Sequence, residues 1–227
     1  VYSTTDVDAG SAAYGLTGVA TAVGNSFKSA GRTTTSSTEV QQVTTGAVVQ
    51  GSTDIYATEA ANVTAASQAA GNTATVLNDF GYGQMVSDQS NSSYVRSESY
   101  VTLDTWFGAA TSSAYGVGNS AMLHTESADG ALYADQVNEG SGVIDVNASL
   151  TGSSEDPHGV GIVNATAIGN SIAGSVSNST GLIANGYQTN TAAVTATATG
   201  RVGHSGVITG SASAIGNAAS YTVNNGH

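Results

Sequence analysis

The sequence predicts an all-β chain wound as a narrow β-solenoid (a β-helix), and three observations carry that expectation. The dipeptide Gly-Asn recurs at residues 24, 71, 118, 169 and 216, at spacings of 47, 47, 51 and 47, and self-similarity at a fixed period of this size marks a repeat architecture. The residues leading into each pair alternate with a period of two between uniformly small and variable side chains, as β-strands do. Composition allows no bulky core. The chain has 227 residues, 22.3 kDa, 29 Gly, 6% aromatic and 9% charged residues, against about 25% charged in an ordinary soluble domain.

The strand before each pair comes first. Two and four residues ahead of the glycines stand Ala22 and Ala20, Ala69 and Ser67, Gly116 and Ala114, Ala167 and Ala165, Ala214 and Ala212, all small. The positions between them, such as Val23, Gln68, Tyr115 and Ile215, vary. One face is constrained and lines a tight interior; the other is free. Gly, Thr, Val and Asn at this density disfavour a helix.

The second strand carries Gln42, Gln89 and Gln136 at a constant offset from the glycine and Gln188 one residue later, with Thr44, Asn91, Asn138 and Asn190 two residues beyond. Further alternation follows, as in Val194 to Thr199. A strand ending at Gly-Asn, a turn, the Gln strand and two more short strands divide each unit into two rungs of about 23 residues, and the whole chain into about nine rungs. At ~4.8 Å per rung the body would be roughly 43 Å long. Residues 1–13 are expected as an N-terminal arm and 14–227 as one repetitive domain. The longer interval reads as a four-residue loop insertion around Ser153 to His158, which contains the single proline, Pro157.

The repeated amides have two readings. Asn25, Asn72, Asn119, Asn170 and Asn217 suit a corner, because Gly-Asn tolerates positive φ, and they also suit a ladder of primary amides that donate and accept along the axis. We favour the corner for Asn and the ladder for Gln, which has little turn preference. An open strand edge is a template for another chain. The strand-compatible starts and ends of the sequence, Val1 and Tyr2 with Tyr221 and Val223, are the expected assembly contacts.

Regular Gln and Asn positions in an acidic, Cys-free chain rich in Gly, Ala, Ser and Thr resemble the curlin fibre proteins. The Ala-x-Ala-x-Gly-Asn blocks are similar to bacterial holdfast-anchoring proteins. The resemblance runs along nearly the whole chain and implies secretion to the exterior or cell surface, β-fibres and surface attachment. The unit is about twice a curlin repeat. The block Ala165 to Ser171 also resembles trimeric autotransporter adhesin heads, whose repeats are shorter.

Charge and motif content remove other classes. Four Lys plus Arg against sixteen Asp plus Glu leave a net charge of −12, so phosphate-backbone binding has no electrostatic support. No apolar run approaches the ~20 residues of a membrane span, and a start at Val1 without a leader pattern reads as a processed chain. The absence of Cys excludes disulfide frameworks and thiolate sites. His124, His158, His204 and His227 show no metal-pair spacing. His204 precedes Ser205 without a nucleophile elbow. Asp6-x-Asp8 lacks the other ligands of a Ca²⁺ loop, and Glu155 with Asp156 reads as solvated charge. Asn-x-Ser/Thr triplets, such as those at Asn62, Asn147 and Asn178, arise easily in this composition. No catalytic residue, metal or cofactor is expected. The leading expectation is a structural subunit of an extracellular polymeric fibre or adhesin for attachment or biofilm, built end to end by sheet continuation, its partners other copies of itself and other surface-anchoring proteins or polysaccharide. The alternative is a monomeric or trimeric ligand-binding solenoid. An ice binder would need Thr in register on every rung, yet Thr195, Thr197 and Thr199 have no equal elsewhere. A carbohydrate-active enzyme would need clustered carboxylates on adjacent rungs.

Overall fold

A computed structural model describes residues 1–10, 14–154, 159–204 and 207–225. Its fourteen strands form three parallel sheets. The first sheet stacks β1 (Tyr2–Ala9), β4 (Val48–Ala60), β7 (Tyr94–Trp106), β10 (Ile144–Gly152) and β13 (Val194–Val202). The second stacks the long strands β2 (Leu16–Arg32), β5 (Val63–Asp79), β8 (Ala109–Glu126), β11 (Val160–Ser177) and β14 (Val207–Asn224). The third holds four strands among the described residues: β3 (Ser36–Thr44), β6 (Gly83–Asn91), β9 (Gly130–Asn138) and β12 (Leu182–Asn190). The architecture is a parallel β-solenoid.

Each coil uses one strand from each sheet and one whole 47-residue unit, because Asn25 pairs with Asn72 and Asn72 with Asn119. The expected two rungs per unit and nine rungs in all are therefore corrected to one coil per unit and five coils. At ~4.8 Å per coil the stack is about 24 Å long. The miscount has a definite cause. Gly-Asn does not end a strand; it lies in the middle of β2, β5, β8, β11 and β14, and the inward phase shifts there. In β5, Val63, Ala65, Ser67 and Ala69 point inward, and then Asn72, Ala74, Val76 and Asn78. A period-two pattern that breaks phase looks locally like two strands.

The phase shift separates two cores. The first half of each long strand contributes small residues, including Ala65, Ala114, Ala165 and Ala167, which pack against Ile55, Val101, Leu103, Trp106, Ile144 and Leu150, chiefly of the first sheet. The second half, with Ala74, Val76, Leu123 and Ile172, packs against Val40, Met85 and Leu132 of the third sheet. Small residues face large ones, which keeps the layers close. At Gly116 a Cβ would lie 2.6 Å from Val146 Cγ2. Ala20, Ala22, Ser67, Ala69, Ala114, Gly116, Ala165 and Ala167 are all buried. Ala212 and Ala214 occupy the same columns, paired with Ala165 and Ala167, but are exposed in β14, the last strand of the second sheet. Ala167→Leu is expected to overpack the first core and cost about 1–3 kcal/mol, read as a lowered denaturant midpoint.

The glycine of each Gly-Asn pair serves close approach rather than a turn. A Cβ on Gly24, Gly71 or Gly118 would lie 2.5 Å from the carbonyl oxygen of the corresponding glycine in the next coil. None of the five has positive φ. The left-handed residues that follow the long strands are instead Thr33, Phe80, Ser127 and Asn178, with φ of 64°, 59°, 59° and 55°. Each donates its backbone N–H to the next coil, as Phe80 N does to Glu126 O at 2.7 Å. The extra residues of the fourth coil are split. Followed along the chain, the pairing offset is 47 at Asn91 and Asn138, between the second and third coils, then 49 at Val95 and Ile144 and 51 at Ala109 and Val160, between the third and fourth. Two residues thus enter at the 139–143 turn and two in the segment before Val160; Glu155, Asp156, Pro157 and His158 lie outside the described residues. The segment read as an arm has Tyr2–Ala9 folded as β1, paired along its length with β4.

Candidate functional site: stacked amide columns

Parallel in-register pairing places identical residues above one another, so an amide repeated every coil meets its own copy. The first column is built on the long strands. Asn25 Nδ2 donates to Asn72 Oδ1 at 2.9 Å, Asn72 to Asn119 at 2.8 Å, Asn119 to Asn170 at 2.8 Å and Asn170 to Asn217 at 2.9 Å. The same nitrogens also donate to third-sheet carbonyls, including Ser90 O and Val137 O, both at 2.8 Å. Each Asn thus locks its coil to the next and one layer to the other. Asn72, Asn119 and Asn170 are fully buried. These side chains form a ladder, so the corner reading of the Asn residues is corrected: corner Asn would need positive φ, and these sit in extended strand.

The glutamine column runs on the third sheet. Gln89 Nε2 donates to Gln42 Oε1 at 2.7 Å, Gln136 to Gln89 at 2.7 Å and Gln188 to Gln136 at 2.9 Å. Their nitrogens also reach Thr73 O, Ser120 O, Ser171 O and Ala218 O across the second core. A third column follows two residues later, with Asn91 Nδ2 on Asn138 Oδ1 at 2.8 Å and Asn138 on Asn190 at 2.7 Å. Thr44 replaces Asn in the first coil and accepts from Asn25 at 2.9 Å.

The columns have polarity. Both Asn columns donate toward higher-numbered coils, and the Gln column donates toward lower-numbered ones. Among the described residues, Asn25 Oδ1 receives no donor at one end, and at the other Asn217 Nδ2 makes one bond, to Gln188 O at 3.3 Å. The two ends present complementary groups of one column. Val1, Tyr2, Tyr221 and Val223 are all exposed at these ends, Tyr2 at 70%.

Sequence reasoning missed two polar clusters. Inside the first core Ser97 Oγ donates to Ser67 Oγ at 2.9 Å, and Ser112 Oγ to Ser99 O at 2.8 Å; the alternating Ser97 and Ser99 were the available signal. On the outer face of the first sheet Arg96 pairs with Glu98 at 2.6 Å, Tyr100 Oη donates to Glu98 at 2.7 Å and Tyr94 Oη to Asp145 at 2.8 Å. Nothing local in the sequence indicates that Asp145 sits beside Tyr94. Burial, then these hydrogen bonds to carboxylates, push both phenols up to about 12 from an ordinary 10.0. Unfolded chains ionise these tyrosines near 10 while the folded protein keeps their protons, so their contribution is intact below that pH and is lost as pH rises toward about 12. An ultraviolet titration is expected to show a late tyrosinate fraction that vanishes on denaturation.

His124 Nδ1 lies 2.7 Å from Ser175 Oγ in register on the outer face of the second sheet, without a carboxylate bonded to either. His204 contributes its backbone carbonyl to Ser154 N at 2.8 Å; Ser205 and His227 lie outside the described residues. Among the described residues there is no group of three or more His, Cys, Asp or Glu able to hold a metal ion, and no helix long and apolar enough to cross a membrane.

A repetitive parallel β-solenoid held by amide columns is the architecture of a structural repeat protein. The chain belongs to the family of holdfast attachment protein D, which matches residues 1–142, and it is an extracellular or cell-surface protein of the holdfast and curlin type. No curated protein and no solved structure matches it.

Proposed function

We propose that the chain is a structural subunit of a polymeric attachment fibre, in which copies stack end to end by continuing the parallel sheets. The unbroken Asn column carries this reading: it offers an amide donor at Asn217 and an acceptor at Asn25, and a second copy set on β14 with its β2 extends the column by one more bond of the same kind. Its β1 would lie on β13, supplying main-chain partners to both open edges. The axial repeat would be about 24 Å, five coils at ~4.8 Å, shorter than the 40–50 Å that nine rungs imply. Surface-anchoring proteins or polysaccharide are further partners of such a fibre.

Asn217→Ala tests the reading. Asn217 is exposed and accepts from Asn170 Nδ2 at 2.9 Å; Asn170 keeps its bond to Thr189 O, so monomer stability is expected to fall by about 1 kcal/mol, whereas filament length and sedimentation of the unsubstituted protein are expected to be lost. A wild-type chain that remains monomeric at high concentration by light scattering would reject end-to-end assembly in favour of a monomeric or trimeric binding solenoid.

A further inference from the structure

The carboxylates of this acidic molecule, whose net charge is −12, are segregated by face. The first sheet carries Asp54, Glu98 and Asp145 among others, and the third carries Glu39, Asp88 and Asp135. The long strands of the second sheet carry Asp79 and Glu126 alone, each the last residue of its strand. Their outward columns are neutral and in register: Thr21, Gln68, Tyr115 and Thr166 form one, and Ser26, Thr73, Ser120 and Ser171 another. Lys28 is the single Lys, Arg, Asp or Glu short of the strand ends. Tyr115 and Met122 lie in the middle coil yet are 36% and 38% exposed. Strands of 17 or 18 residues at ~3.3 Å per residue, stacked at ~4.8 Å, make this face about 1,350 Å² over the five coils, against the ~800 Å² per partner that a stable interface uses.

We propose that this face pairs with the same face of a second copy, about a two-fold axis parallel to the stack. Charge selects the arrangement. Two copies of this acidic chain repel each other, and the long-strand face is the broad surface on which they meet without setting carboxylate against carboxylate. Full overlap of the two faces puts the axis over the middle of β8, between Val117 and Gly118. Tyr115 then faces the partner subunit's Ser120, and Met122 faces the partner subunit's Ser113. Large meets small at both positions, which two sheets packed about 10 Å apart need in order to interdigitate. The phase shift at Gly-Asn makes this match. Outward positions in β8 are odd-numbered before it, as at Ser113 and Tyr115, and even-numbered after it, as at Ser120 and Met122. Turning the strand end for end therefore sets outward residue on outward residue. Glu126 falls opposite the partner subunit's Ala109, so the carboxylates at the rim face no like charge. Both solenoids point the same way, so the pairing is compatible with end-to-end stacking and does not depend on it.

Asn217→Ala, which removes the end-to-end contact, isolates the pair. By light scattering at about 100 μM, above the micromolar Kd that is weak for an interface of this size, that chain is expected at twice its mass of 22.3 kDa. Adding Ser113→Glu, which sets a charge against the partner subunit's Met122, is expected to return it to 22.3 kDa. Adding Ser149→Glu instead, the same change on the outer face of the first sheet, is expected to leave the dimer intact. The register has its own test. Ser120→Tyr alone sets Tyr against Tyr and is expected to weaken pairing about tenfold or more, whereas Ser120→Tyr combined with Tyr115→Ser puts large against small again and restores it. Circular dichroism verifies that every variant stays folded. An Asn217→Ala chain that is monomeric at that concentration, including one that binds lipid vesicles or glycan through this face instead, overturns the proposal. A combined variant that pairs no better than Ser120→Tyr alone does the same. Dimers of a wild-type chain that never forms filaments would uphold the pairing and reject end-to-end stacking, and wild-type filaments one solenoid thick would do the reverse.

Discussion

Gly118→Ala is expected to destabilise the fold by about 3 kcal/mol or more, a large effect for one methyl group. The added Cβ would lie 2.5 Å from Gly169 O and 2.9 Å from Asn138 Oδ1. The first neighbour is backbone of β11, whose flanking residues Ile168 and Asn170 are paired with both β8 and β14, so it cannot swing away as a side chain would. The clash opens the coil spacing at the point where the Asn columns cross the two layers, and several amide bonds lengthen together. An opposing effect, the smaller entropy of unfolded Ala, is worth only about 0.4–1 kcal/mol. Gly210→Ala is the control: it places the same methyl on β14, where nothing lies within 4 Å of the new Cβ, and wild-type stability is expected. Urea denaturation of the three proteins decides it. A Gly118→Ala midpoint equal to that of Gly210→Ala would mean that the glycines are not required for stacking.

Asn119→Ala is expected to cost a similar amount for a different reason. Asn119 donates to Val137 O and Asn170 Oδ1 and accepts from Asn72 Nδ2, all at 2.8 Å. Truncation strands those three groups in the fully buried middle of the stack, at roughly 1–3 kcal/mol for each unpaired buried group. Partial relaxation brings the total to about 3–5 kcal/mol. Gln136→Ala, in the other column, leaves Ser171 O and Gln89 Oε1 without a donor and takes an acceptor from Gln188 Nε2; because Gln188 is only half-buried, the cost should fall slightly below it. Thermal unfolding that left Asn119→Ala within a degree of wild type would show that the column contributes alignment without stability.

The sequence by itself determined the period, the strand character and the inward columns. Those features come from local alternation and from identity at a fixed spacing, and neither needs a partner layer to be read. Ala20, Ala165 and Ala167 are inward because only small residues recur there, and Gln89 and Gln136 are laddered because Gln has no turn role to compete. The number of strands per coil was decided only in three dimensions. A phase shift at Gly71 and Asn72 looks like a strand end in one dimension, and only the facing sheets make it a continuous strand over two cores. The same holds for the four extra residues, which spacing placed in one loop and pairing divides between two. Exposure at the ends was also a tertiary matter. Ala212 and Ala214 obey the same pattern as Ala165 and Ala167 but no coil follows them among the described residues, where the third sheet likewise extends only to β12 beside Tyr221. A repeating sequence specifies what each coil wants on either side of it; which coils have that neighbour depends on where the stack places them.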